Sequence, residues 1–200
     1  MIDLQNLKLI IGQQPVLMQP AEKFDFANPP CDPWDLAEAM VKIMIDSNGL
    51  GLSACQLGLP YSVFAMRGEP NHVMFNPKLV DISTGTIELE EGCLSFPGMV
   101  AKITRPIHVK IRFTGPDGQT TTKKFTGMSA RVIQHEMDHL NGVLFFNHLP
   151  RVQRDRLFKK ASKEKTHAKS QEHSLNNFFR PLEFAALELQ DKRSKSSGSR

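Results

Sequence analysis

Two hundred residues, 40% of them hydrophobic, describe one domain with a core of its own and room for an appendage. No run of eighteen apolar residues occurs, which excludes a membrane-spanning helix, and three irregularly spaced cysteines (Cys31, Cys55, Cys93) exclude a disulfide framework. The formal charge of +4 is uneven: residues 1–150 balance at −3, with 12 Lys and Arg against 15 Asp and Glu, and residues 151–200 at +7, with 13 against 6. The basic character belongs to the tail and says little about the active site; neither DNA nor a membrane is expected as a partner.

In chain order, residues 1–30 read as mostly irregular chain wrapping the domain. The opening MIDLQNLKLIIGQQP lacks the layout of a secretory signal and the arginines of a transit peptide, so a cytoplasmic location is expected. Asp32-Pro33 is a helix start, an acidic cap followed by proline in the first turn. Leu36, Met40, Ile43, Met44 and Ser47 continue it as a core-facing stripe that stops at Asn48-Gly49. Strands are expected at 61–66, 72–81, 85–90 and 99–104. A hairpin of 106–114 and 119–126 then turns through Gly115-Pro116-Asp117-Gly118. A second helix begins near Gly127 to Ser129 and ends at Asn141-Gly142, where glycine is free to adopt positive φ.

Strands and helices in blocks, without βαβ alternation, indicate an α+β domain: antiparallel sheets around this second helix, with an N-terminal helix and a C-terminal extension. The expected division is a catalytic domain over 1–150 and a basic extension over 151–200. Within the extension, RVQRDRLFKKASKEK reads as a basic helix, Leu175 to Phe179 as a short apolar patch, and PLEFAALELQ as helical in period. The last ten residues read as disordered. No internal repeat is present.

The second helix carries the chemistry. His135 and His139 lie four residues apart, on one helical face, and can chelate a single metal ion. Glu136 stands beside them, able to take a proton from a water that the cation has acidified. This is the sequence form of a metal-assisted hydrolase. Such a site needs a third protein ligand. One metalloprotease pattern places a histidine where this chain has Phe145, and another takes a downstream glutamate, for which Glu164 and Glu172 sit in a lysine-rich polar stretch.

Upstream, Cys93 within Glu90-Glu91-Gly92-Cys93-Leu94-Ser95 is available as a thiolate ligand, or as a small buried hydrophobe. Gln56 closes a further segment, Gly49-Leu50-Gly51-Leu52-Ser53-Ala54-Cys55-Gln56, in which the paired glycines suggest close backbone approach.

These three segments together resemble peptide deformylases. The family carries Gly-x-Gly-Leu-Ala-Ala-x-Gln, Glu-Gly-Cys-Leu-Ser and Gln-His-Glu-x-Asp-His-Leu-x-Gly in that order. The chain reads GLGLSACQ at 49–56, EGCLS at 91–95 and QHEMDHLNG at 134–142. The one departure is Ser53 for the first alanine, a small-for-small change expected to be tolerated. The resemblance implies that Cys93, His135 and His139 hold one divalent ion: iron(II) first, then zinc, with nickel or cobalt also suited to this donor set. It implies Glu136 as general base and then acid, and the Gln56 amide with the Leu94 backbone N–H as oxyanion donors.

By the same resemblance the substrates are N-formylmethionyl nascent peptides, and the products are formate and a free amino terminus. Gly51 would let the substrate backbone pair with the chain. Leu50, Phe96, Val132 and Met128 would form the apolar pocket, and Glu91 would pair with Arg105 in support. Asp138, off the ligand stripe, would support rather than ligate. Some bacterial members carry a basic extension that docks on the ribosome, and this tail has the charge to contact ribosomal RNA phosphates; it reads equally as a solvated, solubilising appendage. The competing readings are an endoprotease built on the same helix, and an inactive relative that binds formyl peptides or ribosomes.

Overall fold

The structure, a computed structural model, describes residues 2–168, and side chains as far as 163. Helix α1 (Pro33–Asp46) starts as its sequence requires: the Asp32 carboxylate accepts from the backbone N–H groups of Trp34 (2.8 Å) and Asp35 (3.1 Å). Leu36, Ala37, Met40 and Met44 are buried along one face, while Ile43 is only half-buried.

Seven strands follow: β1 (Gly51–Ser53), β2 (Val63–Met66), β3 (His72–Ile82), β4 (Thr86–Cys93), β5 (Phe96–Pro106), β6 (His108–Thr114) and β7 (Thr120–Thr126). Five form one antiparallel sheet in the order β1-β2-β3-β6-β7, and β4 and β5 make a separate hairpin. The expected strands are present. β4 and β5 run further than anticipated, because Cys93 pairs directly with Phe96 around a two-residue turn. β1 has no counterpart in the sequence reading, since three residues are too few to alternate. Its register, Gly51 opposite Met66 through Ser53 opposite Phe64, comes from its partner.

Helix α2 (Gly127–Leu140) packs against β1, β2, β5, β6 and β7, and is buried on nearly every side. Val109, Ile111 and Phe113 alternate inward from β6 and meet Ala130, Ile133 and Leu140 from α2. The helix ends at Gly142, whose φ of +69° favours glycine and where a Cβ carbon would stand 2.8 Å from the Met18 backbone.

The N-terminal arm is irregular apart from 3₁₀ turns at Leu4–Asn6 and Pro15–Met18. It ties the three motif segments together. The Ile10 N–H donates to Gln56 O (2.8 Å), the Gly12 N–H to Ser95 O (2.7 Å) and the Ala21 N–H to Leu140 O (2.8 Å).

Helix α3 (Arg151–Ala168) covers the basic segment and lies against β5. Its Leu157, Phe158 and Ala161 pack on a cluster that includes Phe146, with the Phe146 and Phe158 rings 5.0 Å apart. Antiparallel sheets around a central helix, with a helix on either side of it in the chain, make an α+β fold. Among the described residues no helix is long and apolar enough to cross a membrane. The expectations for residues 175–179, 181–190 and 191–200 lie outside the described residues.

Candidate active site

Helical spacing brings His135 and His139 to one face of α2, their ring centroids 5.1 Å apart. The β4–β5 turn delivers Cys93 to the same point, its Sγ 3.2 Å from His139 Nε2. Ligand atoms of Cys93, His135 and His139 all lie within 4.8 Å of one another, a separation that one metal ion can bridge. Two further observations fit a cation here. Burial drives the His139 imidazole well below its ordinary pKa, leaving it neutral and able to offer a lone pair. The His135 Nδ1 lies 3.1 Å from Glu91 Oε2, the arrangement by which a carboxylate orients a metal-binding histidine.

Cys55, the nearest alternative thiol, is of a different kind. Burial, with Glu136 and Cys93 nearby, pushes its pKa up to about 12, and its Sγ faces the His139 carbonyl oxygen. It stays a protonated thiol and packs in the core.

Glu91 holds the site from behind. Arg105 grips it with two bonds (2.6 and 2.8 Å), and Arg131 Nη1 adds a third at 2.7 Å. All three side chains are about 95% buried, so this is an interior network and not a surface ion pair. Burial alone would raise the Glu91 carboxyl pKa. Hydrogen bonds from Arg105 and His135 overrule that and hold it well below the carboxylate range. Asp138, off the ligand stripe, bridges Arg105 Nη1 (2.8 Å) and His148 Nε2 (2.6 Å).

Glu136 is 3% exposed, with Oε2 accepting from the Ser53 hydroxyl at 2.7 Å. Burial lifts its carboxyl pKa above the ordinary range. Gln56 is oriented without ambiguity. Its Oε1 accepts from the Ser53 N–H (2.9 Å), so its NH₂ must face Cys93 Sγ (3.5 Å) and Ser95 Oγ (3.1 Å).

A cleft opens over these groups. Leu50, Gly51, Gln56, Leu94, Met128, Val132 and Glu136 all line it, and so do Cys93, His135 and Glu91. Phe96, expected in the pocket, does not line it. Its place in β5 turns the ring into the core against Phe146, 5.1 Å away. Gly51 is required where it stands, because a Cβ carbon would come within 2.7 Å of Val132 Cγ1.

Two participants escaped the sequence reading. Arg131 sits four residues before His135, so the same i, i+4 spacing would have put it on the ligand face. Ser53 gave no signal beyond its departure from the alanine of the motif.

The geometry has known counterparts. The Polypeptide deformylase family profile matches residues 7–155. The peptide deformylase of Agrobacterium fabrum is 37% identical over 161 residues, covering 78% of this chain and 94% of that protein. That of Brucella suis is 39% identical over 164 residues, covering 78% and 91%. Among solved structures, a peptide deformylase from Synechococcus elongatus in complex with actinonin superposes with a TM-score of 0.73 at 31% identity, covering 78% of this chain and 86% of that one. Matched along three-quarters of its length in sequence and in fold, with room for a single ion among a cysteine sulfur and two imidazoles, this chain belongs to the peptide deformylase family and is a metal-dependent deformylase.

Proposed function

We propose that the chain hydrolyses the formyl amide at the amino terminus of formylmethionyl nascent peptides, with Cys93, His135 and His139 holding the ion. The observation that supports this assignment is the meeting of Glu136, Gln56, Cys93 and His135 on one cleft, with the buried His139 beside Cys93 completing the donor cluster. The ion supplies Lewis acidity, which makes water acidic enough to yield hydroxide near neutral pH. Glu136 takes the proton from the attacking water and later gives one to the departing amine nitrogen. Gln56 Nε2 and the Leu94 N–H donate to the formyl oxygen as it gains charge.

β1 is an edge strand of its sheet, which supports backbone pairing with an extended peptide beside Gly51. Leu50, Val132 and Met128 supply an apolar wall for the methionine side chain. A sulfur and two nitrogens suit iron(II), zinc, nickel and cobalt, and we assign iron(II) first and zinc second. The thiolate would be at risk in an oxidising compartment, which favours the cytoplasm.

The test is anaerobic purification, elemental analysis and formate release from formyl-Met-Ala-Ser. One ion per chain with prompt release is expected, and Cys93→Ser should lower or alter the metal content. Bound iron, nickel or zinc with no formate released would reject the reaction. Unaltered metal in Cys93→Ser would remove Cys93 from the ligand set.

We further propose that residues 1–150 form the catalytic body and 151–200 an appendage that docks on ribosomal RNA through phosphate contacts, as the balance of +7 supports. Because α3 packs on Phe146, the cut should spare it. Deleting residues 169–200 should leave kcat on the tripeptide within about twofold and weaken co-sedimentation with ribosomes at low salt. A deletion that abolishes tripeptide hydrolysis would make this segment part of the catalytic fold.

A further inference from the structure

Ser53 carries none of the assignments above, yet it touches two of the residues that do. It is fully buried on β1, with its hydroxyl 2.7 Å from Glu136 Oε2 and 3.3 Å from the Glu136 carbonyl oxygen. A hydroxyl has a single proton to give, and the shorter contact is the carboxylate. Its backbone N–H donates separately to Gln56 Oε1. The remaining Glu136 oxygen, Oε1, lies against Gly51 on the wall of the cleft, where a Cβ carbon would collide with it.

The geometry points to Ser53 as a positioning residue: its hydroxyl pins Oε2 of Glu136 and thereby turns Oε1 toward the reacting centre. Its N–H at the same time turns the Gln56 NH₂ into the site. Alanine, the residue the deformylase pattern carries here, keeps the N–H contact and loses the hydroxyl contact. This chain therefore holds its carboxylate by a bond that the pattern does not contain. The inference rests on Glu136 being the base.

A buried carboxylate freed from one partner samples more orientations, and misplacement of a reacting group is felt in kcat more than in substrate binding. The experiment compares full-length wild-type, Ser53→Ala and Glu136→Ala proteins at equal metal loading. For Ser53→Ala, kcat on formyl-Met-Ala-Ser should fall about tenfold, with KM and metal content unchanged. The infrared carboxyl band that Glu136→Ala abolishes should shift in Ser53→Ala, in metal-free protein as well as in loaded enzyme.

An unchanged kcat overturns the proposal, whatever the band does. So does a fall in rate that tracks lost metal or a raised KM, or a band that stays in place. An inactive Glu136→Ala beside an unimpaired Ser53→Ala removes the positioning role alone. Normal turnover by Glu136→Ala removes the base assignment and the positioning role with it.

Discussion

Glu136→Ala should lower kcat for a formyl tripeptide by about 10²–10⁴-fold, the usual contribution of a positioned general base. Metal content should stay at the wild-type level, since the carboxylate is not one of the three clustered donors. The size of the effect follows from the surroundings of the group. Glu136 is 3% exposed, so bulk solvent cannot easily replace it as proton acceptor, and burial raises its carboxyl pKa. Elemental analysis and steady-state kinetics on the same preparation check both halves. A variant within twofold of wild type would take the base role away from Glu136.

Glu91→Ala should have the largest effect on stability. It strips an anion from between Arg105 and Arg131, both about 95% buried, leaving Arg105 only Asp138 and leaving Arg131 only the carbonyl oxygens of Ile87 and Ile103. Removing one member of a buried ion pair costs about 3–5 kcal/mol. His135 Nδ1 loses its acceptor at the same time, and metal affinity should drop about 10–100-fold. Chemical denaturation at neutral pH and a metal titration read the two effects. Stability within 1 kcal/mol of wild type would mean that the network contributes no more than a surface pair.

The same carboxylate sets an acid limit. Its folded pKa is depressed, so its contribution is fully present above the unfolded value of about 4.3 and is lost as pH falls toward the folded value. Wild-type stability should therefore decline with acid below about pH 4, and Glu91→Ala should show a shallower decline.

The endoprotease reading meets a physical obstacle in this fold. At the position of its third histidine the chain has Phe145, 1% exposed and packed with its ring centroid 6.0 Å from that of His135. That side chain can wall the site but cannot ligate. The inactive-relative reading needs a missing ligand or base, and Cys93, His135, His139 and Glu136 all stand in the cleft or beside it.

Whatever depends on neighbours within about one helical turn was legible in the chain itself. His135 and His139 share a face because they are four residues apart, Asp32-Pro33 caps α1 through N–H groups two and three residues on, and Gly118, at φ +76°, closes its turn by a bond to Gly115. The order of the three motifs was enough to indicate the family and the Glu91–Arg105 pair, and it singled out Cys93, His135 and His139, whose donor atoms the fold brings together. What escaped was set by pairing between distant segments. The Ser53–Glu136 bond spans 83 residues and the Arg131–Glu91 bond 40. Phe96 faces the core because, in a strand, the face a side chain takes is fixed by its pairing partner. Local periodicity specifies which residues can act together on one element. The tertiary structure alone decides which elements meet, because burial and register are properties of partners that a single segment does not contain.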